Sequence, residues 1–189
     1  MNFTWCGQSC GSTSRLFIHE SVYDAVMDRV LEHVKQYQPG IPTDRDTTMG
    51  AIVSQAQLDK ILGYIDLARK EGATLAYGGK RPSDPRLAKG FFVEPTIFTG
   101  VTQKMRIANE EVFGPVLCVL EWRDEEKLFE DVNAVEYGLT GSIWTTSLAN
   151  AHRAAARMES GYLWVNGASS HFLGASFGGY KQSGIGRED

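Results

Sequence analysis

Val116-Leu117-Cys118-Val119-Leu120 is a continuous apolar run, the pattern of a strand covered on both faces. Asp124 to Val132 follows with helical character, and Ser142-Ile143-Trp144-Thr145 reads as a strand. Leu148 to Met158 is an Ala/Arg-rich helix with Ser147 as its N-cap, and Tyr162-Leu163-Trp164-Val165-Asn166 is a strand again. The stretch from about residue 116 to 166 is thus β-α-β-α-β. Such alternation with short connections implies right-handed crossovers and an α/β fold: an open, largely parallel sheet with helices on both faces. Ligands of such sheets sit outside the carboxyl ends of the strands. That directs attention to the segment after Leu120, to Thr145-Thr146 and to Asn166 onward.

The N-terminal half follows the same grammar. Ser14 to His19 reads as a short strand, and Ser21 with Asp24 as a capping box. Val22, Val26, Val30 and Val34 recur at helical spacing until Pro39-Gly40 stops the helix. Residues 41–50 are polar and loop-like. Ser54 with Gln57 forms a second capping box, opening a helix on Leu58, Ile61, Leu62, Ile65 and Ala68 that ends at Gly72. Ala73 to Tyr77 is a strand stopped by Gly78-Gly79. Phe91 to Phe98 is strand-like, but Pro95 confines it to an edge position or a bend. Residues 174–186 hold five glycines and too little apolar mass for an element, so they read as a loop.

Composition narrows the function. At ~100–200 residues per domain, 189 residues predict one domain. Nineteen Lys+Arg against 23 Asp+Glu give a net charge of −4, which argues against a nucleic-acid partner. No apolar run reaches the ~18 residues of a membrane span. The start, Met1-Asn2-Phe3-Thr4-Trp5-Cys6, carries no secretory signature. Three cysteines are too few for a disulfide scaffold and fit a reducing compartment, hence the cytoplasm.

Gly7-Gln8-Ser9-Cys10-Gly11 holds two nucleophile types. It matches the G-x-S-x-G elbow of serine hydrolases, but only six residues precede it, too few for the elbow's strand and oxyanion loop. Cys10 is the stronger candidate, because a thiolate outperforms a hydroxyl at neutral pH and Ser9 and Gly11 leave room for a carbonyl. A buried structural thiol remains the alternative for the isolated residue. Cys6 and Cys10 alone make no metal site, since no second pair completes one. Cys118 belongs to the core. Of the four histidines, His19, His33, His152 and His171, only His171 follows a strand end, where it suits a pocket wall better than catalysis. Glu110-Glu111-Val112-Phe113-Gly114-Pro115 reads either as a solvated loop or as a stiff turn able to grip a ribose and a flat ring. Neither a Walker A loop nor G-x-G-x-x-G is present.

Taken together, the segments resemble the aldehyde dehydrogenase superfamily over essentially the whole chain. Gly7-Gln8-Ser9-Cys10 resembles the family's active-site cysteine motif, Glu110 to Val116 its cofactor-contacting motif, and Phe177-Gly178-Gly179-Tyr180-Lys181-Gln182-Ser183-Gly184 with Gly186-Arg187-Glu188 its glycine-rich C-terminal motif. The resemblance implies Cys10 as the nucleophile, forming a thiohemiacetal and then a thioester as an aldehyde is oxidised to an acid with NAD or NADP. It implies Glu111 at the nicotinamide ribose, Phe113 near the nicotinamide, and Gln57 and Lys60 close by. Ser9, Gly11, Ser169, His171 and Phe177 match positions that line the aldehyde pocket. The family's cofactor domain, its glutamate base, a second oxyanion donor and its final segment have no counterpart here. Residues 1–189 are therefore expected to be a fragmentary catalytic domain. The fragment is expected to be inactive as a dehydrogenase, and an intact relative to be a homo-oligomer. Thiol-dependent esterase activity at Cys10 and a non-catalytic remnant stay open.

Overall fold

The computed structural model describes residues 2–188, which form two compact units. The first takes the chain up to Ser9 and Ser14–Arg123; the second takes Cys10–Thr13 and the chain from Asp124 onward.

In the first unit β1 (Arg15–His19), β2 (Thr74–Tyr77), β3 (Thr96–Thr99) and β4 (Val116–Trp122) form a four-stranded sheet of order β1-β4-β3-β2. β4 pairs parallel to both β1 and β3, while β2 runs antiparallel to β3 at the edge. The apolar run of β4 explains itself through the pleat. Val116, Cys118 and Leu120 point into one core with Leu58, Ile61 and Ile65 of helix α2 (Gln55–Lys70). Leu117 and Val119 point the opposite way, into a second core with Met27 of helix α1 (Tyr23–His33) and with Val34. Alternate side chains of a strand face opposite sides, so both faces must be apolar where helices cover both.

Three local expectations change. Ser21 and Asp24 form no capping box. Residues Glu20–Val22 make a 3₁₀ turn instead, in which His19 Nδ1 accepts from the Ser21 N–H, and α1 starts after Val22 with no side-chain cap. Val22 thereby falls outside the helix and is 49% exposed. The second box is half formed: Ser54 Oγ accepts from the Gln57 N–H, but the Gln57 side chain goes elsewhere. Pro95 marks a bend and not an edge, because β3 lies between β4 and β2 and begins only at Thr96. The bend is tight: a Cβ on Gly78 (φ +67°) would lie 1.9 Å from the Pro95 carbonyl oxygen.

Thr96 is fully buried, and its hydroxyl accepts from the Gly79 N–H (3.0 Å) and donates to the Glu94 carbonyl (2.9 Å). Thr96→Val should leave both backbone groups without partners and cost about 1–3 kcal/mol in urea unfolding. Thr99→Val, at the rim of the same strand, should cost much less; equal losses would contradict this role.

In the second unit β6 (Thr140–Ile143), α5 (Leu148–Arg157) and β7 (Tyr162–Val165) make the expected parallel β-α-β, with Ser147 capping α5. β6 starts two residues before the expected strand. β4 does not continue this sheet: it pairs in the four-stranded sheet, and β6 and β7 pair only with each other. Helix α4 (Glu125–Asn133), next in the chain after the short α3 (Arg106–Asn109) of the first unit, packs its Phe129 ring under the Arg157 guanidinium at 4.2 Å. The glycine-rich tail also departs from a plain loop. β8 (Tyr180–Lys181) pairs antiparallel with β5 (Tyr137–Gly138), and Phe177 and Glu188 exchange backbone bonds of 2.8 and 2.9 Å. Close backbone contact replaces apolar mass here: a Cβ on Gly161 would lie 1.7 Å from the Gly178 carbonyl oxygen. Among the described residues no helix is long and apolar enough to cross a membrane.

Candidate functional site

In the first unit the residues around Phe113 are held on three sides. Phe113 has φ +54°, a left-handed conformation uncommon for a bulky side chain. Gln57, on the first turn of α2, donates through Nε2 to the Val112 carbonyl (3.0 Å) and the Phe113 carbonyl (2.9 Å). Gly114 packs so closely that a Cβ there would lie 2.5 Å from Ile61 Cγ1. From another side, a Cβ on Gly7 (φ +64°) would lie 1.9 Å from the Gly114 carbonyl oxygen.

The two adjacent carboxylates have different fates. Glu110 accepts from Tyr64 Oη (2.6 Å) and from Arg106 through Nε (2.7 Å) and Nη2 (2.9 Å). The Arg106 bonds first, then the Tyr64 bond, hold the Glu110 carboxyl down to about 2, while the bond to Glu110 pushes the Tyr64 phenol up. Glu111 is exposed, and no described residue bonds to its carboxylate. Lys60 is also exposed, with Nζ 5.9 Å from the Tyr64 ring centroid.

The Glu110 clamp has a pH signature. A folded-state value below the ordinary 4.5 means that ionised Glu110 stabilises the fold. That contribution is complete above pH 4.5 and is lost as pH falls toward 2. The stability gap between the native chain and Glu110→Gln, read by urea unfolding, should be constant near neutrality and close across that acid window. A gap that widens in acid would refute the assignment. Because Glu110 and Arg106 are 37% and 59% exposed, added salt should shrink the gap too.

The Gly7-Gln8 segment is anchored by a residue that the motif reading passed over. Gln8 Oε1 accepts from the Val53 N–H at 2.9 Å, and its Nε2 reaches the Ala51 carbonyl at 3.5 Å. A side-chain amide acting like a peptide group leaves no periodic trace in the sequence; only its place inside the motif hinted at a role. Ser9, half-buried, completes this end of the unit.

In the second unit Cys10 is an exposed free thiol. The other two thiols differ: Cys6 is 5% and Cys118 3% exposed, and burial pushes both up, Cys118 to about 12. The buried Gly11 accepts through its carbonyl from Thr140 Oγ1 at 3.3 Å, a bond between positions far apart in sequence. Ser12 Oγ is buried and finds no partner among the described residues.

The segment after β7 carries the expected pocket residues. Asn166 (φ +53°) exchanges two bonds with the Thr145 backbone, both 2.9 Å, and fixes the strand's exit. Trp164 Nε1 donates to the Ser170 carbonyl at 2.6 Å, and Tyr162 Oη accepts from the Phe172 N–H at 3.2 Å. His171 stands at 4.8 Å from Phe177 and 5.4 Å from Tyr162 between ring centroids. His171 and Phe177 are therefore brought together. Ser169 (φ +72°) is exposed in the same loop.

The aldehyde dehydrogenase family model matches residues 1–189. An aldehyde dehydrogenase of Talaromyces stipitatus, tropH, is 52% identical over 193 residues, covering 100% of this chain and 38% of the relative. A betaine aldehyde dehydrogenase of Mesorhizobium japonicum is 44% identical over 188 residues, covering 100% of this chain and 39% of the relative. The crystal structure of betaine aldehyde dehydrogenase from Staphylococcus aureus in complex with NAD+ superposes with a TM-score of 0.93 at 39% identity, over 98% of this chain and 37% of that one. The chain thus spans under two fifths of the curated relatives' length.

Proposed function

The chain belongs to the aldehyde dehydrogenase family, and on that premise we propose that it carries the nucleophile and the nicotinamide-side contacts for NAD(P)-dependent oxidation of a small-molecule aldehyde. The main support is that Cys10 is exposed while Cys6 and Cys118 are buried.

Cys10 thiolate adds to the aldehyde carbon, forming a C–S bond and an oxyanion. The Cys10 backbone N–H is the donor this chain offers to that oxyanion. Once the carbon has lost its hydride, Cys10 carries the acyl group as a thioester. Water then releases the acid and restores the thiol. NAD(P)+, when bound, supplies the hydride acceptor. The residues present suit its ribose: the Glu111 carboxylate is engaged by no described residue and can accept from hydroxyls, whereas Glu110 is tied to Arg106 and Tyr64. Phe113 would pack beside the nicotinamide when the cofactor is bound, and Lys60 and Gln57 would lie toward its ribose. Ser9, Gly11, Ser169, His171 and Phe177 are proposed to shape the aldehyde site. The family's NAD+ complexes, including the Staphylococcus aureus structure, favour NAD+ as the first cofactor to test.

We propose that residues 1–189 by themselves, among which the resemblance places no general base, hydrolyse an acyl-enzyme ~10²–10⁴ more slowly than they would with one. The purified chain with NAD+ and a panel of aldehydes should give no NADH at ordinary enzyme rates; sustained turnover would overturn this part of the proposal. The exposure of Cys10 favours a second reading, thiol-dependent ester cleavage. Its sign would be a p-nitrophenol burst from p-nitrophenyl acetate, absent after Cys10→Ala.

A further inference from the structure

We propose that Gln57 is a positioning residue, which holds Phe113 in its left-handed conformation and thereby sets how Glu111 and Phe113 are presented. The consequence for cofactor binding rests on the reading of those two residues above; the structural role does not. A bulky residue at φ +54° is in a sparsely populated region, and such strain persists only where the surroundings over-determine it. Here the constraint is visible. One amide nitrogen serves two successive carbonyls, Val112 at 3.0 Å and Phe113 at 2.9 Å. Both of its hydrogens are thus engaged by the turn, and only Oε1 remains open to a ligand.

The donor is rigidly mounted. Gln57 lies in the first turn of α2, its own N–H bonded to Ser54 Oγ, beside Leu58 and Ile61, which are fully buried. The turn cannot slide away from it, because Gly114 abuts Ile61 and Gly7 abuts the Gly114 carbonyl. Glu111 has no such internal restraint among the described residues, so its placement depends on the backbone that follows it.

The experiment is hydrogen exchange by mass spectrometry on the full chain, with Gln57→Glu, Gln57→Ala and Gln55→Ala. Gln57→Glu keeps the size and removes the donor. Loss of two hydrogen bonds should speed exchange of segment 110–116 by about 5–30-fold in both Gln57 variants. Among the described residues the Gln55 side chain bonds to Asp59 on its own helix, so Gln55→Ala should leave that segment unchanged. Phe113→Gly added to Gln57→Glu should recover most of the protection, since glycine adopts positive φ without strain. Unchanged exchange in the Gln57 variants, or no recovery with Phe113→Gly, would overturn the inference. Should either Gln57 variant fail to fold, refolding on addition of Phe113→Gly supports it and continued failure overturns it.

Binding of nicotinamide mononucleotide, read by saturation-transfer NMR, separates the two readings. No signal from the native chain, with exchange responding as stated, removes the cofactor reading and keeps the role of Gln57. A native signal that persists in Gln57 variants with unchanged exchange does the reverse.

Discussion

Cys10→Ala should abolish labelling of the folded chain by iodoacetamide. The native chain should take up one carboxamidomethyl group, at Cys10, because Cys6 and Cys118 are 5% and 3% exposed and burial disfavours both thiolates. The thiolate is the reactive form, so a buried thiol with a raised value is doubly protected. Unfolding in guanidinium provides the internal control, since Cys6 and Cys118 then react in native chain and variant alike. Mass spectrometry of intact protein distinguishes the cases. A label that persists on folded Cys10→Ala would show that another thiol is accessible, and would remove the main support for Cys10 as nucleophile.

Gly7→Ala should be the most damaging of the small substitutions. Two penalties coincide. Alanine at φ +64° carries the left-handed cost of about 1–2 kcal/mol. Its Cβ would also sit 1.9 Å from the Gly114 carbonyl oxygen and 2.7 Å from the Pro115 nitrogen, both backbone atoms that cannot rotate away. Forced overpacking adds about 1–3 kcal/mol, so about 2–5 kcal/mol in all should be lost from urea unfolding. Gly72→Ala isolates the first penalty, for Gly72 has φ +98° and open space around its missing Cβ. Equal losses at the two positions would show that the approach of Gly7 to Gly114 has no energetic weight. A larger loss at Gly7 should be accompanied by faster exchange of residues 110–116, the segment that contains Gly114.

Much of the architecture was readable because its causes are local. Burial on both faces writes itself as the unbroken run Val116 to Leu120, and one-sided burial as the spacing of Leu58, Ile61 and Ile65. Ser54 and Ser147 announced helix starts because capping acts over three residues. What failed was also physical. Ser21 with Asp24 fits the capping pattern, but the neighbouring His19 imidazole accepts the Ser21 N–H first. The 116–166 alternation suggested one sheet, whereas strand partners are chosen by backbone pairing that periodicity does not encode.

The candidate site divides in the same way. Sequence alone determined the family, the order of its motifs and the two nucleophilic atoms within Gly7 to Gly11, since residue identity and spacing suffice for these. Only the tertiary structure decided which of two adjacent carboxylates is free and that Gln57 holds the Phe113 turn. It also decided how closely Gly7 approaches the Gly114 carbonyl and that Cys10 alone among the thiols is exposed. Gln57 meets Phe113 across 56 positions and Tyr64 meets Glu110 across 46. A hydrogen bond or a steric limit between residues so far apart exists only once the chain has folded, and nothing in the local pattern of either partner records it.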